Sequence, residues 1–112
     1  MKSLKIPALL ALFTATMFAF AGGFYGDVTK AVSGAPLQYG TVHIWSTTSE
    51  FDTTIGTTAA GGYWCGNLDD GEYKLEAYKV EGDTFWSSYH YTREVEGGMT
   101  EVDIVVNKNS SK

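Results

Sequence analysis

The stretch Gly61-Gly62-Tyr63-Trp64-Cys65-Gly66-Asn67-Leu68-Asp69-Asp70-Gly71-Glu72-Tyr73-Lys74-Leu75-Glu76-Ala77 reads as a strand, a tight turn and a second strand. Side chains along a strand alternate between its two faces, so Tyr63 and Cys65 share one side. Leu68 anchors the bend at Asp69-Asp70-Gly71, and Tyr73, Leu75 and Ala77 carry the inward pattern onward. Gly71 is expected to take a positive φ in this turn, which glycine does without a Cβ clash. Tyr63 and Tyr73 are expected to fill space between two sheets, where each buried aromatic or aliphatic side chain contributes roughly 1.5–3 kcal/mol. The segment specifies architecture and carries no evident catalytic group.

The same short alternation, bounded by Gly, Asp and Asn, runs through the rest of the chain and predicts an all-β sandwich or barrel. About seven strands are expected, as in small sandwiches of this size. The first covers Phe24 to Val32 and stops at Gly34-Ala35-Pro36-Leu37, where Pro36 cannot donate to a ladder. The second covers Gly40 to Thr47, with Val42 and Ile44 on one face and Thr41, His43 and Trp45 on the other. A polar loop leads to a third strand at Thr53 to Thr58, then come the Tyr63 strand and Glu72 to Val80. Glu81-Gly82-Asp83 reads as a hairpin loop. The sixth strand is read as continuous from Thr84 to Arg93, with Phe85, Ser87, Tyr89 and Tyr91 on one side and Trp86, Ser88 and His90 on the other. Thr100 to Asn107 closes the fold, with Val102, Ile104 and Val106 inward, and Lys108 to Lys112 is read as a frayed polar tail.

The N-terminal 21 residues read differently. Lys2 and Lys5 give a basic start, Ala8 to Phe20 carries no charge, and Ala19-Phe20-Ala21 offers small residues for a signal peptidase, with cleavage before Gly22. The apolar run is shorter than the ~20 residues a spanning helix needs, so no membrane span is expected after cleavage. A secreted or periplasmic domain of residues 22–107 is the expectation. The lone Cys65 cannot form an internal disulfide, which leaves a buried free thiol or an intermolecular bridge. The formal charge of −5 becomes −7 without Lys2 and Lys5. Such an acidic chain is poorly suited to phosphate backbones, and nucleic acid is excluded as a partner.

The chain resembles the carboxypeptidase regulatory-like domain. The residues that carry the resemblance are Gly26-Asp27-Val28, Gly34 to Leu37, Gly40 to Ile44, Gly62-Tyr63, Leu68, Gly71 to Ala77, and Val95, Gly98, Thr100 and Val102 to Val106. The resemblance implies a seven-stranded Greek-key β-sandwich of the transthyretin-like (prealbumin-like) kind, with Tyr63, Leu68, Gly71, Tyr73, Leu75 and Ile104 in structural roles. It also implies a stalk, accessory or adhesion module, often fused to enzymes or surface receptors; the residues of this chain offer no catalytic set, so it is not expected to be an enzyme. A related transthyretin-like family hydrolyses 5-hydroxyisourate and ends in a short basic-aromatic signature. Here the end is Val105-Val106-Asn107-Lys108-Asn109-Ser110-Ser111-Lys112, without that signature.

Among residues able to carry chemistry, Cys65 has no histidine expected on its side of the sheet, which removes a Cys–His nucleophile. Ser87-Ser88 near His90 lacks a nucleophile elbow, and Ala60-Gly61-Gly62-Tyr63 enters a strand, not the helix that a phosphate loop requires. His43 and His90 invite a metal reading with Asp or Glu, but no third ligand stands at a recognisable spacing. Asp69-Asp70 is accounted for by the turn. No cofactor is expected. The aromatics remain: Trp45 and Trp86 fall beside Thr41, His43, Ser88 and His90 on polar sides, and Trp64 lies opposite Tyr63 and Cys65. Exposed aromatic faces rimmed by polar groups suit stacking on sugars or docking on a partner surface. Trp45, Trp86, His43 and His90 are therefore the expected ligand-binding residues, with a polysaccharide or an envelope protein as partner. The rival expectations are a self-associating structural or adhesion subunit and a small metal-dependent hydrolase.

Overall fold

The structure, a computed structural model, describes residues 22–110; the expected signal peptide lies outside the described residues. The strands are β1 (Gly22–Lys30), β2 (Thr41–Ser46), β3 (Asp52–Gly56), β4 (Gly62–Leu68), β5 (Gly71–Glu81), β6 (Thr84–Ser87), β7 (Tyr91–Val95), β8 (Met99–Glu101) and β9 (Ile104–Ser110). The expected all-β sandwich is the fold that forms. They join in the order β3-β2-β5-β6-β9-β1-β4, with β7 on β5 and β8 on β1. One layer is thus β3-β2-β5 with β7, and the other is β4-β1 with β8 and the first part of β9, Ile104 to Val106. The short β6 pairs with β5 and β9 together, folding a single ladder into two layers.

Nine strands form among the described residues where about seven were expected, because two long runs are broken. The run from Thr84 to Arg93 splits at Ser88–His90. Its first half pairs with Tyr78–Glu81 of β5 and its second half with Gly71–Leu75 of the same edge. Ser88 spans the gap: its N–H donates to Ala77 O (3.0 Å) and its Oγ accepts from Ala77 N–H (3.0 Å). The closing run splits at Val102–Asp103. There the Val102 N–H donates to Tyr25 O at 2.8 Å and Asp103 Oδ1 accepts from the Asp27 N–H at 3.0 Å. These bonds keep the parallel pairing of β1 with β8 and β9 in step across the gap. The polar residues from Lys108, expected to fray, instead continue β9 to Ser110 against β6.

The core lies between the layers. Phe24, Val28, Tyr63 and Leu68 from β1 and β4 meet Val42, Ile44, Tyr73, Leu75 and Ala77 from β2 and β5, with Leu37, Val95, Val102, Ile104 and Val106 around them. Leu68 and Ile104 take the buried places expected of them. Gly71 has φ 149°, as the tight turn requires. The two core tyrosines also hold loops. Tyr63 Oη donates to Val102 O (2.6 Å) at the second break, and Tyr73 Oη donates to Asp69 O (2.7 Å) at the turn. Asp70 Oδ1 accepts from the Gly97 N–H at 2.7 Å, so the paired aspartates serve the turns, as read from the sequence.

Where the layers join, Lys30 of β1 donates to Glu81 Oε1 (3.0 Å) and Lys79 approaches Oε2 (3.1 Å). These two hydrogen bonds hold the Glu81 carboxyl below its ordinary pKa. Replacing Tyr63 by Phe keeps the ring but strands the Val102 carbonyl. Urea unfolding should show a loss of about 1–2 kcal/mol with the native far-ultraviolet spectrum retained. An unchanged midpoint would contradict this role for the hydroxyl.

Candidate functional site

On the outer face of the first layer, β2 presents His43 and Trp45 two residues apart, which places both rings on one side. The imidazole and the indole stack with centroids 4.3 Å apart at 25°. Register sets Glu76 of β5 beside His43 and Asp52 of β3 beside Trp45. His43 Nδ1 lies 3.1 Å from Glu76 Oε2, and Nε2 lies 2.9 Å from Asp52 Oδ1. His90, in the break between β6 and β7, puts Nε2 3.1 Å from Glu76 Oε1 and its ring edge-on to Trp45 at 5.0 Å. Glu76 therefore bridges two imidazoles from opposite sides of β5, and Trp45 is braced by both rings.

The chemistry of this group is that of a polar frame. A neutral imidazole has one donor and one acceptor nitrogen, yet both nitrogens of His43 face carboxylate oxygens. The protonated ring satisfies both. Burial opposes its charge, but the hydrogen bonds to Glu76 and Asp52 outweigh that penalty and raise the His43 pKa above 6.5. The nitrogens point at carboxylates instead of converging on a common centre. Among the described residues, no group of three or more His, Cys, Asp or Glu is placed to hold a metal ion.

Trp86, expected on the outward side of its strand with Ser88 and His90, is elsewhere. It packs against the core at the junction of the layers, where its Nε1 donates to Glu81 Oε1 at 3.1 Å and the Lys30 ammonium sits 4.7 Å from the ring centroid. The reason is the break at Ser88–His90. An uninterrupted strand puts Trp86 and His90 on one face, whereas the break changes the parity, so Trp86 and Tyr91 both pack on the core while His90 faces out. Cys65 packs at the margin of the core from β4, and burial raises its thiol pKa. Trp64, on the opposite layer, is the most exposed tryptophan at 62 %. Glu76 and Asp52 escaped the sequence reading because their link to His43 depends on cross-strand register, which composition does not encode.

No protein-family model matches the chain, and no curated protein matches it in sequence. Solved structures share the fold, two of them as follows. One is a minor pilin of the Gram-positive pathogen Streptococcus agalactiae, with a TM-score of 0.66 and 12% identity over 83% of this chain and 47% of that one. The other is a candidate carbohydrate-binding protein of Bacteroides uniformis, with a TM-score of 0.51 and 14% identity over 76% of this chain and 40% of that one. The chain thus spans less than half the length of either. At these identities the likeness establishes the β-sandwich alone.

A raised folded-state pKa adds stability that is complete below the unfolded-state value of about 6.5 and is lost as pH rises through the folded value. Thermal melts from about pH 6 to about pH 8 should therefore show a falling Tm, and His43→Gln should flatten that slope. An equally steep slope in the variant would contradict the pairing.

Proposed function

We propose that this chain is an exported, non-catalytic β-sandwich module that binds or supports structure at the cell envelope, with polysaccharide as its ligand. The observation that carries this reading is the frame around Trp45. An aromatic ring is braced by His43 and His90 among surface carboxylates on a rigid sheet. Sugars are recognised by that combination: an apolar ring for their C–H faces, and fixed donors and acceptors for their hydroxyls. Export is supported by the basic start, apolar run and small residues of Lys2 to Ala21. The fold is one that a pilin and a candidate carbohydrate-binding protein also use, which is consistent with an adhesion or binding role.

A second reading has one observation in its favour. β3 and β4 end the strand order, and β4 carries neither charge nor proline to guard its edge. Edge-to-edge association into a structural subunit would use it.

The test is saturable binding of the chain to cell-wall polysaccharides and peptidoglycan, beside Trp45→Ala with its fold checked by circular dichroism. The variant should bind about tenfold or more weakly. Equal binding by both proteins would overturn the role of Trp45. Concentration-dependent association without glycan binding would favour the structural subunit.

A further inference from the structure

The outer face of the second layer carries a separate aromatic surface. On β4 the exposed Trp64 is flanked two residues away on each side by a glycine, Gly62 and Gly66, so no side chain adjoins the indole along its own face of the strand. Gly66 is occupied from above. A Cβ at that position would clash with Cη2 and Cζ2 of Trp64 and crowd Cζ3, so the six-membered ring lies over the bare backbone. One face of the indole is thereby seated on the strand while the side chain remains 62 % exposed. Across the antiparallel ladder Trp64 pairs with Tyr25, itself 40 % exposed, and Tyr25 pairs in turn with Glu101 of β8.

Carboxylates complete the surface. Asp27 follows Tyr25 on the same face of β1, and its Oδ1 lies beside the space above Gly62. Asp103 is fixed next to it through Oδ1, which accepts from the Asp27 N–H at 3.0 Å. Asp27, Glu101 and Asp103 are all exposed. The indole and the space above Gly62 are two residues apart, about 6.4–6.8 Å along the strand, the scale of one hexose ring. A flat ring seated on glycine is an immobile platform that loses little side-chain freedom when something stacks on it.

We propose that Trp64 and Tyr25, with Asp27, Glu101 and Asp103, form a second binding surface, which takes polysaccharide bearing free amino sugars. The indole meets the C–H face of a pyranose, and the carboxylates pair with its ammonium and hydroxyl groups. Charge complementarity selects this class: the surface is acidic, and the chain from Gly22 carries −7, so uronate or phosphate polymers are repelled. A lysine-rich peptide shares the charge but needs only a point above a ring, whereas a sugar uses the full width of the platform. With Trp45 on the opposite layer, the module would present a recognition surface on each side of the sandwich.

The test is titration of the exported full chain with glucosamine oligomers, N-acetylglucosamine oligomers and an oligolysine peptide, followed by tryptophan fluorescence and calorimetry. Glucosamine oligomers should bind about tenfold more tightly than the acetylated ones, and Trp64→Ala should lose about tenfold or more in affinity. Gly66→Ala keeps every side chain of the platform and its backbone lies outside the left-handed region, so it should fold normally and still weaken binding by lifting the indole. Trp45→Ala should leave this binding intact, which separates the proposal from the Trp45 reading above. Equal affinity in Trp64→Ala, no preference for the free amine, or oligolysine binding as tightly as the sugar would each overturn it.

Discussion

The constraint on which the rest of the molecule depends is that one edge of β5 serves two strands. β5 is eleven residues long, and β2 occupies one edge from Tyr73 to Tyr78. The other edge is divided between β7 at its start and β6 at its end. Two separate strands can share an edge only if the chain leaves the ladder between them, and the backbone groups freed there need partners. Ser88 supplies them by giving Ala77 both a donor and an acceptor. From that point β6 is free to reach β9 and close the layers, while His90 emerges over β5 beside Glu76.

Both outer faces inherit their rigidity from this arrangement. The buried tyrosines are anchored at their hydroxyls as well as packed, so the turn before β5 and the break before β9 are tied to the core. The Lys30–Glu81–Lys79 group does the same where the layers join, with Trp86 over it. Surface ion pairs alone contribute little, about 0–1 kcal/mol each, so the weight of stability rests on the apolar interior. What the ion pairs supply is position. His43 and Glu76 are held in register by strands whose other faces carry Ile44, Leu75 and Ala77, and His90 is set over them from the break that Ser88 fixes to Ala77.

Much of the fold was legible because inward and outward residues alternate cleanly. Val42 and Ile44 against His43 and Trp45, and Val102, Ile104 and Val106 against their neighbours, read correctly from the sequence. The turn at Gly71 was legible for the same reason, since its residues leave few backbone options. The interruptions were not. Trp86-Ser87-Ser88-Tyr89-His90-Tyr91 alternates as well as any strand, and only the competition for one edge of β5 breaks it. That misplaced Trp86, and with it half of the expected aromatic pair. The exposed partner of the second layer was present in the spacing Gly62-x-Trp64-x-Gly66, whose meaning emerges once the indole is seen lying over Gly66.

The break at Ser88–His90 is therefore the central claim, and nuclear Overhauser contacts test it most directly. Expected are contacts from the Trp45 indole to the rings of both His43 and His90, contacts from Trp86 to the Lys30 side chain, and a slowly exchanging Ala77 amide. Contacts between Trp86 and the rings of His43 or Trp45, as a continuous strand would give, would contradict it.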